Sequence, residues 1–468
     1  MKVVIVGGGI SGLSAAYYLA KHGVQSTLIE REGRLGGVIS TERLEGCVLE
    51  AGPDSYLAQK PWALHLIKEL GLGDDVIGSN DHLRVTYVLK RGRLVPLPDG
   101  LMLMIPTRIL PLVRTQLLGF ETKVRMGFEW FRRPRNGWQP DRSVAEFVAE
   151  HYGWEAVDYL AEPLLSGVYG GDPQNLSVAS VLPRFVELER KYGSLTKGVL
   201  RERRKAAKHA QGQPLFQTLK GGLGQLIDAL VTQTRPAPEV LHAPADAVER
   251  SSEGAPWRVR MSGQWLPADH VVLACQAYQA GALVASADGD LAALLESIPY
   301  SNSITISLGY AKAGFPHPLN GFGFLVPKSE RQLLVACTWV GTKFSYRVPP
   351  DKAVLRCFVG GEDPSVLSLS DQELVTHVRA ELLTVMGVSA TPVFTHVARW
   401  PRSMAQYTVG HAERLARIEG RLKQLPGLHL AGNAYHGIGI PDCVRMGKHA
   451  ADAIVGQDSS PAAGLQTR

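Results

Sequence analysis

Three glycines near the N-terminus have the spacing that lets a backbone receive a phosphate. Gly7, Gly9 and Gly12 spell G-x-G-x-x-G directly after the apolar run Val3-Val4-Ile5-Val6. The first permits a tight turn, the second lets a pyrophosphate approach the chain, and the third lets the following helix pack against strands. Apolar Leu13, Ala16, Tyr17 and Leu19 continue at helical spacing as far as Gly23. The opening turn, with Ile10 and Ser11, offers unpaired N–H groups and a partial positive charge to an anion. A second strand from Ser26 ends on an acid, Glu30, placed 18 residues after Gly12. A carboxylate there holds ribose hydroxyls and repels a 2′-phosphate.

The text just past this acid separates a flavin from a nicotinamide. Arg31 opens the run R-E-G-R-L-G-G, with Arg34, Gly36 and Gly37, and Gly52-Pro53-Asp54-Ser55 follows. A nicotinamide nucleotide needs no second glycine loop at this point. A flavin does, because its pyrophosphate and ribityl chain extend further across the sheet. Arg34 can lie against the phosphates while Gly36 and Gly37 admit the ribityl backbone. Near the other end, a strand reaching Gly432 and Asn433 opens through Gly437, Gly439 and Asp442 onto a helix beginning at Cys443 and Val444. A helix N-terminus suits the electron-rich N1–C2=O edge of a reduced isoalloxazine. An ordinary strand-turn-helix closing the sheet is the alternative, and it leaves the glycines around Asp442 unexplained.

These loops need a sheet to hold them. The chain has 468 residues, which at about 150 per unit suggests three units. Val271, Val272, Leu273 and Ala274 form another buried strand, flanked by a strand-like stretch at 240–248, ending on Val248, and a helical stretch at 221–230. The expected architecture is α/β plus α+β. A Rossmann-type FAD-binding domain is assembled from residues 1–79, 212–288 and 424–458. A mixed-sheet substrate domain takes 80–95 and 289–423, where apolar residues alternate, and 96–211 reads as a helical domain. Residues 459–468 are expected to form a flexible tail.

Composition narrows the class. With 45% hydrophobic and 20% charged residues the chain is neither disordered nor collagen-like. No apolar run reaches the ~20 residues of a membrane span, since residues 101–113 are cut by Pro106, Arg108 and Pro111. No signal peptide is read at the N-terminus, so a soluble cytoplasmic protein is expected. Five scattered cysteines without a C-x-x-C pair argue against disulfides and zinc. No H-E-x-x-H or G-x-S-x-G run occurs, so no metal and no nucleophilic triad is expected. Residues 184–208 carry nine Lys or Arg against three Glu, which accounts for the whole net charge of +6. That face is either a solvated helix or a contact for an anionic partner.

Longer motifs point to a family. Arg34-x-Gly36-Gly37, Glu50-x-Gly52-Pro53-Asp54-Ser55, Ser166-Gly167-Val168-Tyr169-Gly170-Gly171-Asp172, Gln406-Tyr407-x-x-Gly410-His411 and Gly437-x-Gly439-x-x-Asp442-Cys443 together resemble the oxygen-dependent porphyrinogen oxidases. These are protoporphyrinogen and coproporphyrinogen III oxidases within the amine-oxidase-like flavoproteins. Ala336-Cys337-Thr338-Trp339 with Lys343, and Gly439 to Cys443, are most similar to the Gram-positive coproporphyrinogen III branch. Gly170 stands where Ala is usual and Gln276 where the family often has Pro. Neither change should disturb flavin binding, because backbone makes the contact there.

The resemblance implies FAD, three successive two-electron oxidations of coproporphyrinogen III at the flavin N5, and dioxygen consumed to hydrogen peroxide, in haem biosynthesis. Its cofactor residues carry over to Gly7, Gly9, Ile10, Ser11, Gly12, Glu30, Arg31, Arg34, Gly36, Gly37, Gly52, Pro53, Asp54, Ser55, Val248, Ala274, Gly432, Gly439, Asp442, Cys443 and Val444. No side chain is implied as a catalyst, only backbone near Gly167 and Val168. Phe322, Leu325 and Phe358 match ring-clamping positions, with core packing as the alternative. Lys60 and Arg84 match positions linked to propionates, with exposed surface cations as the alternative. The expected partners are a porphyrinogen and dioxygen, with no nucleic acid. The basic stretch and residues 101–118, read as an apolar Pro-broken helix, make the helical region a candidate face for a membrane surface or a ferrochelatase-type enzyme. Protoporphyrinogen IX oxidation, an amine oxidase or carotenoid desaturase, and a non-catalytic flavin- or porphyrin-binding protein are the competing readings.

Overall fold

The structure is a computed structural model, and it describes residues 1–134, 139–206, 214–252, 254–361 and 363–456. The expected tail at 459–468, the boundary at 211 and 212, and Lys208 of the basic stretch lie outside the described residues.

Strand Val3–Val6 is buried throughout, which is why it reads as an unbroken apolar run. It pairs in parallel with Ser26–Glu30 on one side and His270–Leu273 on the other. Glu239–His242 and Leu428–Leu430 complete a five-stranded parallel sheet. Helix Ile10–Lys21 crosses back over it and packs against the late helix Ile440–Ile454. The two approach so closely that a Cβ on Gly447 would stand 2.3 Å from the Ser11 carbonyl oxygen. The first helix and the last described helix are thereby joined in one layer.

Two readings of local structure are corrected. Residues 240–248 are not one strand. They split between Glu239–His242 in the parallel sheet and Ala245–Arg250 in a separate antiparallel sheet with Trp257–Met261 and Gln264–Ala268. Pro244 cannot donate to a ladder, and the chain changes sheets there. Residues 101–118 are not an apolar helix either. Leu101–Met102 and Ile105–Pro106 form a tight hairpin, followed only by a short helix, Ile109–Arg114. Pro106 lacks the N–H that a helix running through it would need.

The second large sheet has seven strands in the order Phe394–Ala405, Tyr300–Ala311, Lys352–Gly361, Leu334–Trp339, Gly323–Leu325, Thr86–Lys90 and Arg93–Pro96. Alternation gives it two faces. Ile304, Ile306, Leu308, Leu355 and Cys357 join Leu374, Val378 and Leu382 of helix Asp371–Met386 in a core of their own. Thr305, Arg356 and Phe358 face the other way and line a cavity.

The helical region is held by a buried ionic knot. The His151 imidazole lies 3.1 Å from Glu129 and 3.1 Å from Glu189, and Arg142 bonds Glu189 at 2.7 Å. Glu129 also accepts the Ser194 hydroxyl and the Leu195 N–H. It thus caps helix Leu195–Ala206, whose first N–H groups have no partner within the helix. Burial alone would raise both carboxyls. The bonds from His151 and Arg142 outweigh it and bring Glu189 to about 2, and those from His151 and Ser194 lower Glu129. A depressed carboxyl contributes stability above the unfolded value of ~4.3 and loses it as pH falls toward the folded value. The melting temperature should therefore drop between about pH 4.5 and 2, and Glu189→Gln should flatten that drop. Thermal melts across this window check it, and an unchanged acid slope in the variant would contradict it.

Candidate functional site

Each predicted loop has a geometric reason for its glycines. Gly7 has φ +109°, and a Cβ there would lie 2.8 Å from the Ala274 carbonyl carbon. A Cβ on Gly12 would sit 1.9 Å from the Gly7 oxygen. Helix Ile10–Lys21 starts at Gly9 with no side chain capping it. Among the described residues nothing lies within 4 Å of a Cβ on Gly9, so that side is open. The Gly8 N–H donates to Glu30 Oε2 at 2.7 Å and the Glu32 N–H to Oε1 at 2.9 Å, which fixes the carboxylate at the strand end. The second glycine loop is seated on the first: the Gly36 N–H donates to the Gly8 carbonyl at 2.8 Å. Arg34, expected against phosphates, instead spends its guanidinium on the carbonyls of Leu35, Gly37 and Ile39. It braces the loop that holds Gly36 and Gly37.

The C-terminal loop enters the same space. Helix Ile440–Ile454 begins at Gly439 without a side-chain cap. Asp442 in its first turn is buried and bonds Lys60 Nζ at 2.6 Å. Lys60, expected to meet a propionate, therefore already has a carboxylate partner. Tyr407 fastens this loop, its hydroxyl donating to the Asn433 carbonyl at 2.9 Å and accepting the Gly437 N–H at 2.8 Å. Gln406 beside it donates to the Tyr169 carbonyl at 2.7 Å and to Ser301 Oγ at 2.9 Å. Gly170 takes φ +61° at the end of helix Glu162–Tyr169, a left-handed cap that disfavours the family's Ala.

All these loops open on one cavity of about 3750 Å³. Gly7, Gly9, Ile10, Ser11, Glu30, Arg31, Arg34, Gly36, Gly37, Gly52, Pro53, Asp54, Ser55, Ala274, Gly432, Gly439, Asp442 and Cys443 line it. So do Lys60, Arg84, Gly167, Val168, Phe322, Leu325 and Phe358. Three predicted residues are absent from its wall. Gly12 lies under the loop at the helix–strand contact. Val248 is fully buried opposite Val259 in the antiparallel sheet, and Val444 is fully buried in the late helix. Of the three expected clamp positions, Leu325 and Phe358 share one row across the seven-stranded sheet, and Phe322 lies off it, its carbonyl accepting the Trp339 N–H. Ladder pairing sets Ala398, Thr305, Phe358, Ala336 and Leu325 side by side. Gly167 faces Leu325, a Cβ there coming within 3.5 Å of its side chain, and Val168 and Arg84 are exposed.

A charged cluster drawn together from distant parts of the chain lies beside this floor. Arg347 bonds Glu50 at 2.8 Å, both nearly fully buried. Lys343 Nζ lies 2.8 Å from Asp54, and Arg356 Nη1 is 3.6 Å from the same carboxylate. Burial would raise the Asp54 carboxyl, but the two cations hold it well below the usual carboxylate range. Burial pushes the Lys343 ammonium down. Arg356 had a visible signal. It is the single charge in the apolar alternation 354–359, two residues before Phe358 and so on the same face.

A flavin dinucleotide fits these residues: an uncapped helix start open at Gly9, a carboxylate fixed for a ribose, and a second glycine loop docked beside the first. The model of flavin containing amine oxidoreductases matches residues 10–455. The chain is 34% identical to coproporphyrinogen III oxidase of Bacillus subtilis (strain 168) over 97% of each protein. It is 31% identical to coproporphyrinogen III oxidase of Staphylococcus aureus, covering 97% of this chain and 99% of that one. A crystal structure from Exiguobacterium sp. 255-15 superposes with TM-score 0.85 at 33% identity, over 97% of this chain and 98% of the other.

Proposed function

Because the chain belongs to the flavin-containing amine oxidoreductase family, we propose that it oxidises coproporphyrinogen III to coproporphyrin III with dioxygen as acceptor. The protein is an FAD-dependent oxidoreductase. When bound, FAD supplies a two-electron acceptor that dioxygen reoxidises, so three rounds remove the six hydrogens and release hydrogen peroxide.

One observation carries the reading: the nucleotide loops and the sheet row with Phe358 and Leu325 line a single continuous cavity. In this reading Gly7, Gly9, Ile10, Ser11 and Glu30 hold the adenosine and pyrophosphate. Gly36, Gly37, Gly52, Pro53 and the loop at Gly432–Gly439 receive the ribityl and ring portion. Phe322, Leu325 and Phe358 flank the macrocycle, and backbone at Gly167 and Val168 closes the opposite side. The aromaticity gained drives loss of hydrogens, so these residues act by position and by excluding water. Residues 1–79, 212–288 and 424–458 serve the cofactor, 80–95 and 289–423 the substrate, and 96–211 the remaining helical part. The test offers coproporphyrinogen III and protoporphyrinogen IX aerobically and follows porphyrin fluorescence. A higher kcat/KM for coproporphyrinogen III is expected. Preference for protoporphyrinogen IX would reassign the substrate, and turnover of neither would overturn the reading.

Among the described residues no helix is long and apolar enough to cross a membrane. We infer a peripheral contact instead. Phe120, Val124 and Phe128 form an exposed stripe on helix Phe120–Phe128, with Ile109 (81% exposed) and Phe131 (73%) nearby in the chain. Exposed Arg108, Arg114, Arg125 and Arg133 accompany them. Apolar rings beside cations suit an anionic lipid surface, where a poorly soluble porphyrin can be passed on. Co-sedimentation with anionic vesicles at low salt should fall at least fivefold in Phe120→Glu/Phe128→Glu. Absence of wild-type binding would exclude the membrane and leave a protein partner, such as a ferrochelatase-type enzyme, for that face.

A further inference from the structure

The buried cluster on the cavity side of the sheet holds more positive than negative charge. Lys343, Arg347 and Arg356 face two carboxylates, Glu50 and Asp54. Arg347 and Glu50 answer each other, so the surplus falls on Lys343 and Arg356, which share Asp54. Lys343 spends its ammonium on Asp54 and Ser55. Arg356 is less satisfied. One nitrogen donates to the Gly52 carbonyl, another stands 3.6 Å from Asp54, and its Nε has no hydrogen-bond partner among the described residues. The residue is only 4% exposed, yet it lines the cavity. Its guanidinium lies 4.6 Å from the Phe358 ring centroid. Ladder pairing sets Arg356 between Ser307 and Thr338, in the row adjoining the one that holds Phe358 and Leu325. A buried cation without full compensation is costly and calls for an anion.

We propose that Arg356, backed by Lys343, is a carboxylate subsite that reads a side chain present in a tetracarboxylate porphyrinogen and absent from a dicarboxylate one. The inference rests on the substrate reading above. A site built around a charge rejects an analogue lacking the partner, because the charge is then left buried and unanswered. A vinyl group placed against Arg356 would do that, whereas a propionate supplies the missing oxygen atoms.

The test compares wild type, Arg356→Gln and Arg356→Lys as FAD-loaded full chains. One arm measures kcat/KM for coproporphyrinogen III and protoporphyrinogen IX. A second measures binding of the product porphyrins by fluorescence, and a third the flavin content. In Arg356→Gln, kcat/KM for coproporphyrinogen III should fall about 10- to 100-fold, the scale of one charge-assisted hydrogen bond. The value for protoporphyrinogen IX should change less than about threefold. Coproporphyrin III binding should weaken in parallel, and Arg356→Lys should restore part of both. Equal losses on the two substrates would overturn the subsite. Loss of flavin from Arg356→Gln, which would assign the cluster to the cofactor, would overturn it as well. A wild type that turns over neither porphyrinogen defeats the substrate reading. The binding arm then decides the subsite by itself: coproporphyrin III binding undiminished in Arg356→Gln would overturn it.

Discussion

Gly9→Val is expected to fold normally and to purify without its flavin, whereas Gly12→Val should fail to seat the first helix at all. The two glycines lie three residues apart and face opposite problems. A Cβ on Gly9 meets nothing within 4 Å among the described residues, because that side looks onto the cavity. Under the proposed cofactor placement, valine there fills the space a pyrophosphate needs and leaves the protein's own packing intact. A Cβ on Gly12 stands 1.9 Å from the Gly7 oxygen and 3.3 Å from the Ala274 side chain. Both neighbours directly follow the buried strands Val3–Val6 and His270–Leu273 and cannot yield without parting helix from sheet. FAD binding should weaken more than about 100-fold in Gly9→Val, with the apo-protein melting temperature within a degree or two of wild type. Visible absorbance after reconstitution and a thermal melt check both halves. A yellow, fully loaded Gly9→Val would remove this loop from the cofactor site.

The second large effect is on stability. Arg347→Met should cost about 3–5 kcal/mol, the usual consequence of leaving a buried charge without its partner. Arg347 and Glu50 are each 1% exposed and joined at 2.8 Å. Without the cation, Glu50 keeps the Leu223 N–H and the Thr41 hydroxyl as its hydrogen-bond donors among the described residues. Burial already raises its carboxyl even with Arg347 present. A carboxyl raised in the folded state binds its proton more tightly there, so stability falls as pH rises through the folded value. The variant should therefore regain stability on mild acidification. Glu50→Gln/Arg347→Met should recover much of the loss at neutral pH, since no charge is stranded. Urea unfolding at two pH values reads both effects, and a single variant as stable as wild type would contradict them.

What could be read from the chain alone followed the range of the physical constraint. Gly7, Gly36 and Gly37 answer to positive φ angles and Gly12 to the Gly7 oxygen five residues away, local demands whose pattern survives in one dimension. The same holds for the alternation at 304–308 and 354–359, which became two central strands of the seven-stranded sheet. Boundaries that depend on where a proline falls were lost: Pro244 divides two sheets and Pro106 turns a supposed helix into a hairpin. Side-chain partners were the least legible. Lys60 meets Asp442 from 382 positions away, and Arg347 meets Glu50 across 297. No spacing rule reaches that far. Each cation was of a type suited to a propionate or a phosphate, and only the folded chain shows which of them, Lys60 and Arg34 included, are already engaged.

Anaerobic mixing of the flavin-loaded protein with coproporphyrinogen III is the most direct trial of the joined cavity. The visible flavin band should vanish, with an end point near one porphyrinogen per three flavins, because six hydrogens leave in pairs (about three two-electron steps). A holoprotein that keeps its full absorbance in excess porphyrinogen, yet bleaches with dithionite, would contradict the account.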